Sequence, residues 1–463
     1  MSMIMRGDIL VCSNDNIGFA YIPTKGKLYQ LSVDGAKLLE KQLDEYWSGT
    51  MANEESRVLE QYVMTHFLSC DNLVRHPNSY GLHNISTLYK LEIMIANQCN
   101  LDCAYCYAHG GTYDSESCQI LSPDNAERYL RSIIQNRYDK VGTVMFFGGE
   151  PTLGPKTIEA VCNYSEYAYQ NGDMVELPIY TMVSNGTLID KDMASIISRY
   201  HIRTTVSVDG PPEINDALRV DKGGNGSYQR IKEGIQNLNT CGFPPVLLEA
   251  TYTTKHIEAG LSKHDVVDFL RKEFGVKKVL IENCVPNGIH DELAVKNDQP
   301  NIDDLSGEYY LTRTKFETLR RLRTHEFIDY SCSAGIESFC ILPDGRVFPC
   351  HQFIHDEQYC MGTIDSLFAS EQYEFVHSML TNMRKCNYHL CSTCWAKQLC
   401  RIPPCQMLLF PEEMNRTCEL VKKETILNLF HIIEGRKDTK QLGKLKEIFY
   451  TNCQINKNGG NGQ

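Results

Sequence analysis

A chain of 463 residues has room for about three domains, and a composition of 42% apolar and 22% charged residues is that of a globular protein rather than a disordered or fibrous one. The formal charge of −12 disfavours nucleic acid as a partner, because that binding rests on cationic contacts to phosphate. No apolar run reaches the ~18 residues of a membrane span, and "MSMIMRGDILVCSNDN" lacks the apolar stretch of a secretion signal, so a cytoplasmic protein with no membrane partner is expected.

In chain order, "DILVC", "GFAYI" and "KLYQL" read as three short strands separated by Asn/Asp and Lys-Gly turns. Helical patterns follow in "VDGAKLLEKQLDEYW" and over 54–67. Residues 1–80 are therefore expected to form a small α+β unit. From 88 to 285 the chain alternates between strands and helices. The strands are "LYKLEIMIA", "VGTVMFF", "LPIYTMV", "IRTTVSV", "VLLEATYT" and "VKKVLIEN". Six βα units in succession predict a parallel sheet, and six strands suffice for a partial barrel. Ser122 followed by Pro123 predicts a capped helix start, and Gly275 ends a helix that begins at Ser262. Residues 286–331 are polar and then helical and bridge to a cysteine-rich stretch over 332–418. Residues 419–463 read as two helices and a disordered tail, "NKNGGNGQ".

Cysteine is the outlier. There are 20, and 10 of them lie between Cys332 and Cys418. In a chain without a secretion signal, clustered cysteines point to metal rather than to disulfides. "QCNLDCAYCYAHGG" places Cys99, Cys103 and Cys106 directly after the first barrel strand, at its C-terminal end, where barrel chemistry sits. Three thiolates hold three irons of a [4Fe–4S] cluster and leave the fourth open. The alternatives are zinc or three buried thiols.

"CNLDCAYC" resembles the CX3CX2C loop of radical S-adenosylmethionine (SAM) enzymes. The resemblance implies that the SAM amine and carboxylate occupy the open iron and that reduction releases a 5′-deoxyadenosyl radical. It implies that Tyr105 packs near adenine and that Gly148, Gly149 and Glu150 of "FFGGEP" bind the SAM amino group. Ser184 and Asn185 in "VSNGT", with Ser207, Asp209 and Arg219 in "SVDGPPEINDALR", would contact the SAM ribose or carboxylate.

"CSAGIESFCILPDGRVFPC" and "CSTCWAKQLCRIPPC", followed by Cys418, resemble the SPASM domain, with one departure. Four residues, including Pro403 and Pro404, separate Cys400 from Cys405 where the pattern has three. Carried over, Cys391, Cys394, Cys400 and Cys418 would bind auxiliary cluster II, and Cys332, Cys350 and Cys405 auxiliary cluster I, which makes three [4Fe–4S] clusters in all. The fourth ligand of cluster I is open. A three-residue Pro-Asp-Gly hairpin loop would put Cys340 on the face of Cys350, whereas a two-residue loop would turn it away. Cys284, or an iron left for the precursor's own thiolate, are the other possibilities. His351, Cys162 and Cys241 are expected to be packing or surface residues.

Residues 88–418 resemble radical SAM/SPASM enzymes, and in combination with residues 1–80 they are similar to maturases of ribosomally made peptides. Residues 1–80 resemble their winged-helix-like module, which binds a leader peptide by strand addition. The expected activity is thioether formation, as in ranthipeptide or sactipeptide maturases. The alternatives are a carbon–carbon crosslink, or formylglycine formation as in sulfatase maturases. The resemblance further implies a precursor peptide bound by its leader and a reductant such as flavodoxin or ferredoxin.

Overall fold

The computed structural model describes residues 2–48, 50, 86–113, 118–284, 291–295, 318–319, 321–322, 332–385 and 387–435. The helix expected over 54–67, most of 286–331 and the tail lie outside these residues. The chain divides into two compact units. One joins Met1–Ser79 with Leu311–Ser331 and Arg384–Gln463, and the other joins Tyr80–Tyr310 with Cys332–Met383.

In the first unit an antiparallel meander runs β1 (Ser2–Arg6), β2 (Ile9–Ser13), β3 (Gly18–Ile22) and β4 (Lys27–Leu31), followed by a helix over Val33–Ser48. β2 and β3 are buried on both faces. Ile9, Val11, Ala20 and Ile22 pack under Ala36, Leu39 and Leu43 of that helix. Leu10, Cys12, Phe19 and Tyr21 pack on the other face against Leu429, Phe430 and Ile433 of the Met414–Gly435 helix. The stretch expected to recognise a leader thus shares its core with the C-terminal helix. Phe19 meets Phe430 edge to face at 4.8 Å. Phe19→Ala is expected to cost about 3–5 kcal/mol, read as an earlier unfolding transition.

The second unit carries the sheet that positions the site. Its strands are β5 (Thr87–Ala96), β7 (Lys140–Gly148), β8 (Ile179–Ser184), β9 (Arg203–Ser207), β11 (Leu247–Tyr252), β12 (Val279–Asn283), β13 (Ser338–Ile341) and β14 (Val347–Phe348). They lie in the order β12-β11-β9-β8-β7-β5-β13-β14. The six expected strands stand side by side in chain order and parallel, as the wall of a partial barrel requires. The expected caps are present. Ser122 Oγ accepts from Asn125 N at 3.2 Å, and Gly275 ends its helix at φ 69°. β13 extends the sheet in parallel beside β5, with Cys340 level with Glu92, and β14 turns back with Cys340 opposite Phe348. That is the register of the three-residue Pro343-Asp344-Gly345 loop, which leaves Cys340 on the face of Cys350.

Candidate functional site

The three-cysteine loop is held by a miniature sheet that three-residue strands do not announce in a sequence. β6 (Leu101–Cys103) pairs antiparallel with β10 (Arg219–Asp221), which sets Cys103 opposite Arg219, and Ala104 N donates to Leu218 O at 2.9 Å. Beyond it the chain turns back through Cys106 N→Cys103 O, 3.0 Å. All three thiols face a cavity of about 540 Å3 at the C-terminal ends of β7, β8, β9, β11 and β12. Burial pushes the Cys99 thiol up to about 11 and the Cys103 thiol up to about 12. Thiols so placed become thiolates only with a cation to bind, which suits them to a metal cluster. The Cys99 sulfur already accepts two N–H groups, from Leu101 N at 3.4 Å and Asn185 Nδ2 at 3.6 Å. Among the described residues no three His, Cys, Asp or Glu side chains are placed to share a single ion. A cluster differs in that each thiolate binds its own iron.

The "GGE" turn closes the next side. Gly148 sits at φ 135°, where a Cβ would meet Ala96 O at 2.2 Å, and a Cβ on Gly149 would meet Gln98 O at 2.2 Å. Only glycine lets the end of β7 come this close to the end of β5. Glu150 is fully buried. Its Oε1 accepts from Thr152 N (3.0 Å), Thr152 Oγ1 (2.5 Å) and Ser184 Oγ (2.8 Å), and its Oε2 from Asn185 N (2.7 Å). Burial pushes its carboxyl up, against the pull of these donors. The side chain thus braces β7 to β8 and aims Ser184 and Asn185. Glu150→Ala leaves those donors unpaired. It is expected to cost about 3 kcal/mol, measurable by denaturant unfolding.

Across the cavity, Asp209 is fully buried. Its Oδ2 accepts the Tyr105 hydroxyl at 2.5 Å, its Oδ1 accepts Thr251 N at 3.0 Å, and its main-chain oxygen meets His256 Nε2 at 2.7 Å. Arg219 Nη1 donates to the Tyr105 hydroxyl and lies 3.7 Å from Asp209 Oδ1, while its buried Nε has no partner among the described residues. The Tyr105 ring packs against the cluster of Leu218, Cys284 and Leu293. Ser207 lines the same wall. The cavity therefore pairs a cationic, donor-bearing side at Arg219 with an opening over three thiols. That suits a ligand with a carboxylate and several polar groups, and the residues present fit SAM and a cluster.

Sequence reasoning missed a polar group on the first strand. Glu92 of β5 is fully buried. Lys90 Nζ reaches its Oε1 at 2.5 Å, and both His351 N (3.0 Å) and His351 Nδ1 (3.1 Å) reach its Oε2. Burial opposes its ionisation, but His351 and Lys90 outweigh that and pull the carboxyl down to about 2. His351 packs against Phe147, ring centroids 4.6 Å apart and tilted by 33°, and lines the cavity, so it is more than the packing or surface residue expected. Lys90-x-Glu92, two charges on one face of an otherwise apolar strand, was the available signal. Glu249 of β11 also faces the cavity, and burial pushes its carboxyl up against the pull of Arg219. Cys162 is buried and Cys241 half-buried, as packing residues would be.

The remaining predicted thiols fall in both units. Cys332, Cys340 and Cys350 belong to the second, where Lys90, held by Glu92, stands near Cys350 and Cys332. Burial, then Glu92 and Cys350, pushes the Cys340 thiol well above the usual range. Cys391, Cys394, Cys400, Cys405 and Cys418 belong to the first. There Cys394 N donates to Cys391 O at 3.2 Å and Ile402 N to Cys400 Sγ at 3.5 Å. Burial, with Cys400, Cys394 and Cys418 nearby, pushes Cys391 up to about 11.

Residues 93–271 match the model of the Radical SAM superfamily. The chain is 25% identical over 283 residues to the radical SAM cyclopropyl synthase TigE of Paramaledivibacter caminithermalis, across 56% of this chain and 57% of that protein. It is 26% identical over 324 residues to the cysteine-type anaerobic sulfatase-maturating enzyme of Clostridium novyi, across 64% of this chain and 84% of that protein. The chain thus spans little more than half the length of the first of these. A solved structure of tagged anSMEcpe with bound AdoMet superposes at TM-score 0.52 with 17% identity, across 74% of this chain and 99% of that one, a likeness of fold. No helix among the described residues is long and apolar enough to cross a membrane.

Proposed function

We propose that this chain, whose residues 93–271 match the Radical SAM superfamily, is a peptide maturase that joins a cysteine sulfur of a ribosomally made precursor to a carbon of another residue. The observation that carries this reading is the cavity-facing trio Cys99, Cys103 and Cys106, in a chain that holds two further sets of thiols, Cys332/Cys340/Cys350 and Cys391/Cys394/Cys400/Cys418. The trio would hold the SAM-binding [4Fe–4S] cluster, and the other two sets an auxiliary cluster each. SAM bound there, with the cluster reduced, would supply the 5′-deoxyadenosyl radical chemistry that removes hydrogen from the substrate carbon, and the one electron left over when sulfur closes on that carbon would leave through an auxiliary cluster.

The protein's own groups do the rest. Leu101 N and Asn185 Nδ2 hold the Cys99 sulfur. The Gly148-Gly149-Glu150 turn, with Ser184 and Asn185, would wall the methionine end of SAM. Ser207 and Arg219 would meet its ribose and carboxylate, with buried Asp209 acting through Tyr105 and Arg219, and Tyr105, fixed by both, would side with adenine. With the tautomer that carries its proton on Nδ1, 3.1 Å from Glu92 Oε2, His351 would present Nε2 to take the precursor's thiol proton. His351→Gln is expected to reduce precursor modification at least tenfold and to leave SAM cleavage without peptide intact, both followed by chromatography of products. The four-stranded sheet of residues 2–31 offers edges at β1 and β4 to a leader strand. A flavodoxin- or ferredoxin-class carrier would deliver electrons.

A second reading, oxidation of a cysteine or serine to formylglycine, is supported by the similarity to the sulfatase-maturating enzyme. A short cysteine-containing precursor with a leader is expected to stimulate 5′-deoxyadenosine formation. Equal stimulation by a leaderless sulfatase-derived peptide would favour the second reading instead.

A further inference from the structure

Two cations are buried beside the thiols of the first unit. Lys385 is 3% exposed and Arg321 5%. Lys385 Nζ donates to Lys397 O at 3.1 Å and Cys400 O at 2.6 Å. Arg321 Nη1 donates to Gln398 O at 3.1 Å and Cys400 O at 3.2 Å. Both side chains therefore converge on the main-chain oxygen of one thiol residue, whose sulfur also accepts Ile402 N at 3.5 Å. Lys385 is also close enough to Cys391 to favour its thiolate. A third cation, Lys422, stands near Cys394 and Cys418 but is tied to Glu419 at 2.7 Å and is partly exposed.

Taking an ammonium and a guanidinium out of water is costly unless negative charge stands close. Four thiolates on a [4Fe–4S] cluster leave it net negative, and one unit more negative when reduced. Net charge and hydrogen bonds around the sulfurs are what set such potentials. In a low-dielectric surrounding a fixed positive charge favours the more negative state, and water screens it little.

We propose that Lys385 and Arg321 raise the reduction potential of the cluster held by Cys391, Cys394, Cys400 and Cys418, acting as positioning residues through charge rather than as ligands. The inference rests on the assignment of a cluster to those four thiols, and iron analysis tests that assignment separately.

The experiment uses the full chain, reconstituted with iron and sulfide, with Cys99, Cys103 and Cys106 replaced by Ala so that only auxiliary clusters contribute. The readout is the midpoint potential, from electron paramagnetic resonance at poised potentials. Lys385→Gln keeps a donor for the carbonyls and removes the charge. It is expected to weaken the reduced form about tenfold, about 59 mV downward for a one-electron couple. Arg321→Gln, a separate variant should Lys385→Gln fail to fold, is expected to move the potential in the same direction. Lys385→Arg, which keeps the charge, is expected to stay near the parent value. Full iron content with an unmoved potential in both Gln variants would overturn the inference, as would a Lys385→Arg shift equal to that of Lys385→Gln. Parent protein without iron at the four thiols would overturn the cluster assignment instead.

Discussion

Alanine at Cys99, Cys103 and Cys106 together is expected to abolish reductive SAM cleavage, a loss of at least a thousandfold in 5′-deoxyadenosine formation, while iron persists at the other thiols. The three sulfurs share one cavity with the Gly148-Gly149-Glu150 turn and Arg219, and no other cysteine trio faces it among the described residues. The fold should survive, because the loop is also held by the β6–β10 pairing and by Ala104 N→Leu218 O. Circular dichroism checks that, and iron analysis should show loss confined to one cluster. Cleavage persisting in the triple variant would refute the assignment of the loop.

The second large effect concerns Cys340. The hairpin register sets it opposite Phe348, on the face of Cys350 and level with Glu92. Cys284 instead packs with Leu218 and Leu293 at the end of β12. These placements support Cys340 as the fourth ligand of auxiliary cluster I. Cys340→Ala is then expected to lower auxiliary iron, change the cluster's spectrum and reduce precursor modification at least tenfold. The substitution removes only a sulfur from a packed core, so the stability cost should stay near 1–2 kcal/mol, small beside the loss of activity. Unchanged iron with intact turnover would make Cys340 a core residue. Cys284 or an open iron would then remain.

Much of this was legible because it is local. Six of the sheet's eight strands read as apolar or alternating runs since at least one face of each is buried, and helix starts and stops such as Ser122 and Gly275 are chemistry of one turn. The register of Cys340 was legible once the loop length was chosen, because a one-residue change flips the face. β1 was missed: Ser2–Arg6 is half-buried, mixes Ser, Met and Arg, and gains its identity only by pairing with β2. β6 and β10 are three residues each, too short for a pattern. The contact of His351 with Glu92 spans 259 residues and the pairing of Tyr105 with Asp209 spans 104. No periodicity reports such neighbours. The same holds for Phe19 and Phe430, which make the N-terminal meander and the C-terminal helix one core.

The thioether reading is tested most directly by the mass of a short cysteine-containing precursor after co-expression with the enzyme, taken before and after treatment with a thiol-alkylating reagent. The account predicts loss of two hydrogen atoms per crosslink, with the modified cysteine refusing the reagent and fragmentation placing the bond between its sulfur and a carbon of another residue. Loss of the same two hydrogens with the thiol still alkylated would mean a carbon–carbon bond or, if an aldehyde-directed hydrazide reacts, formylglycine from serine. Loss of the sulfur itself would mean formylglycine. Either of these would contradict the account.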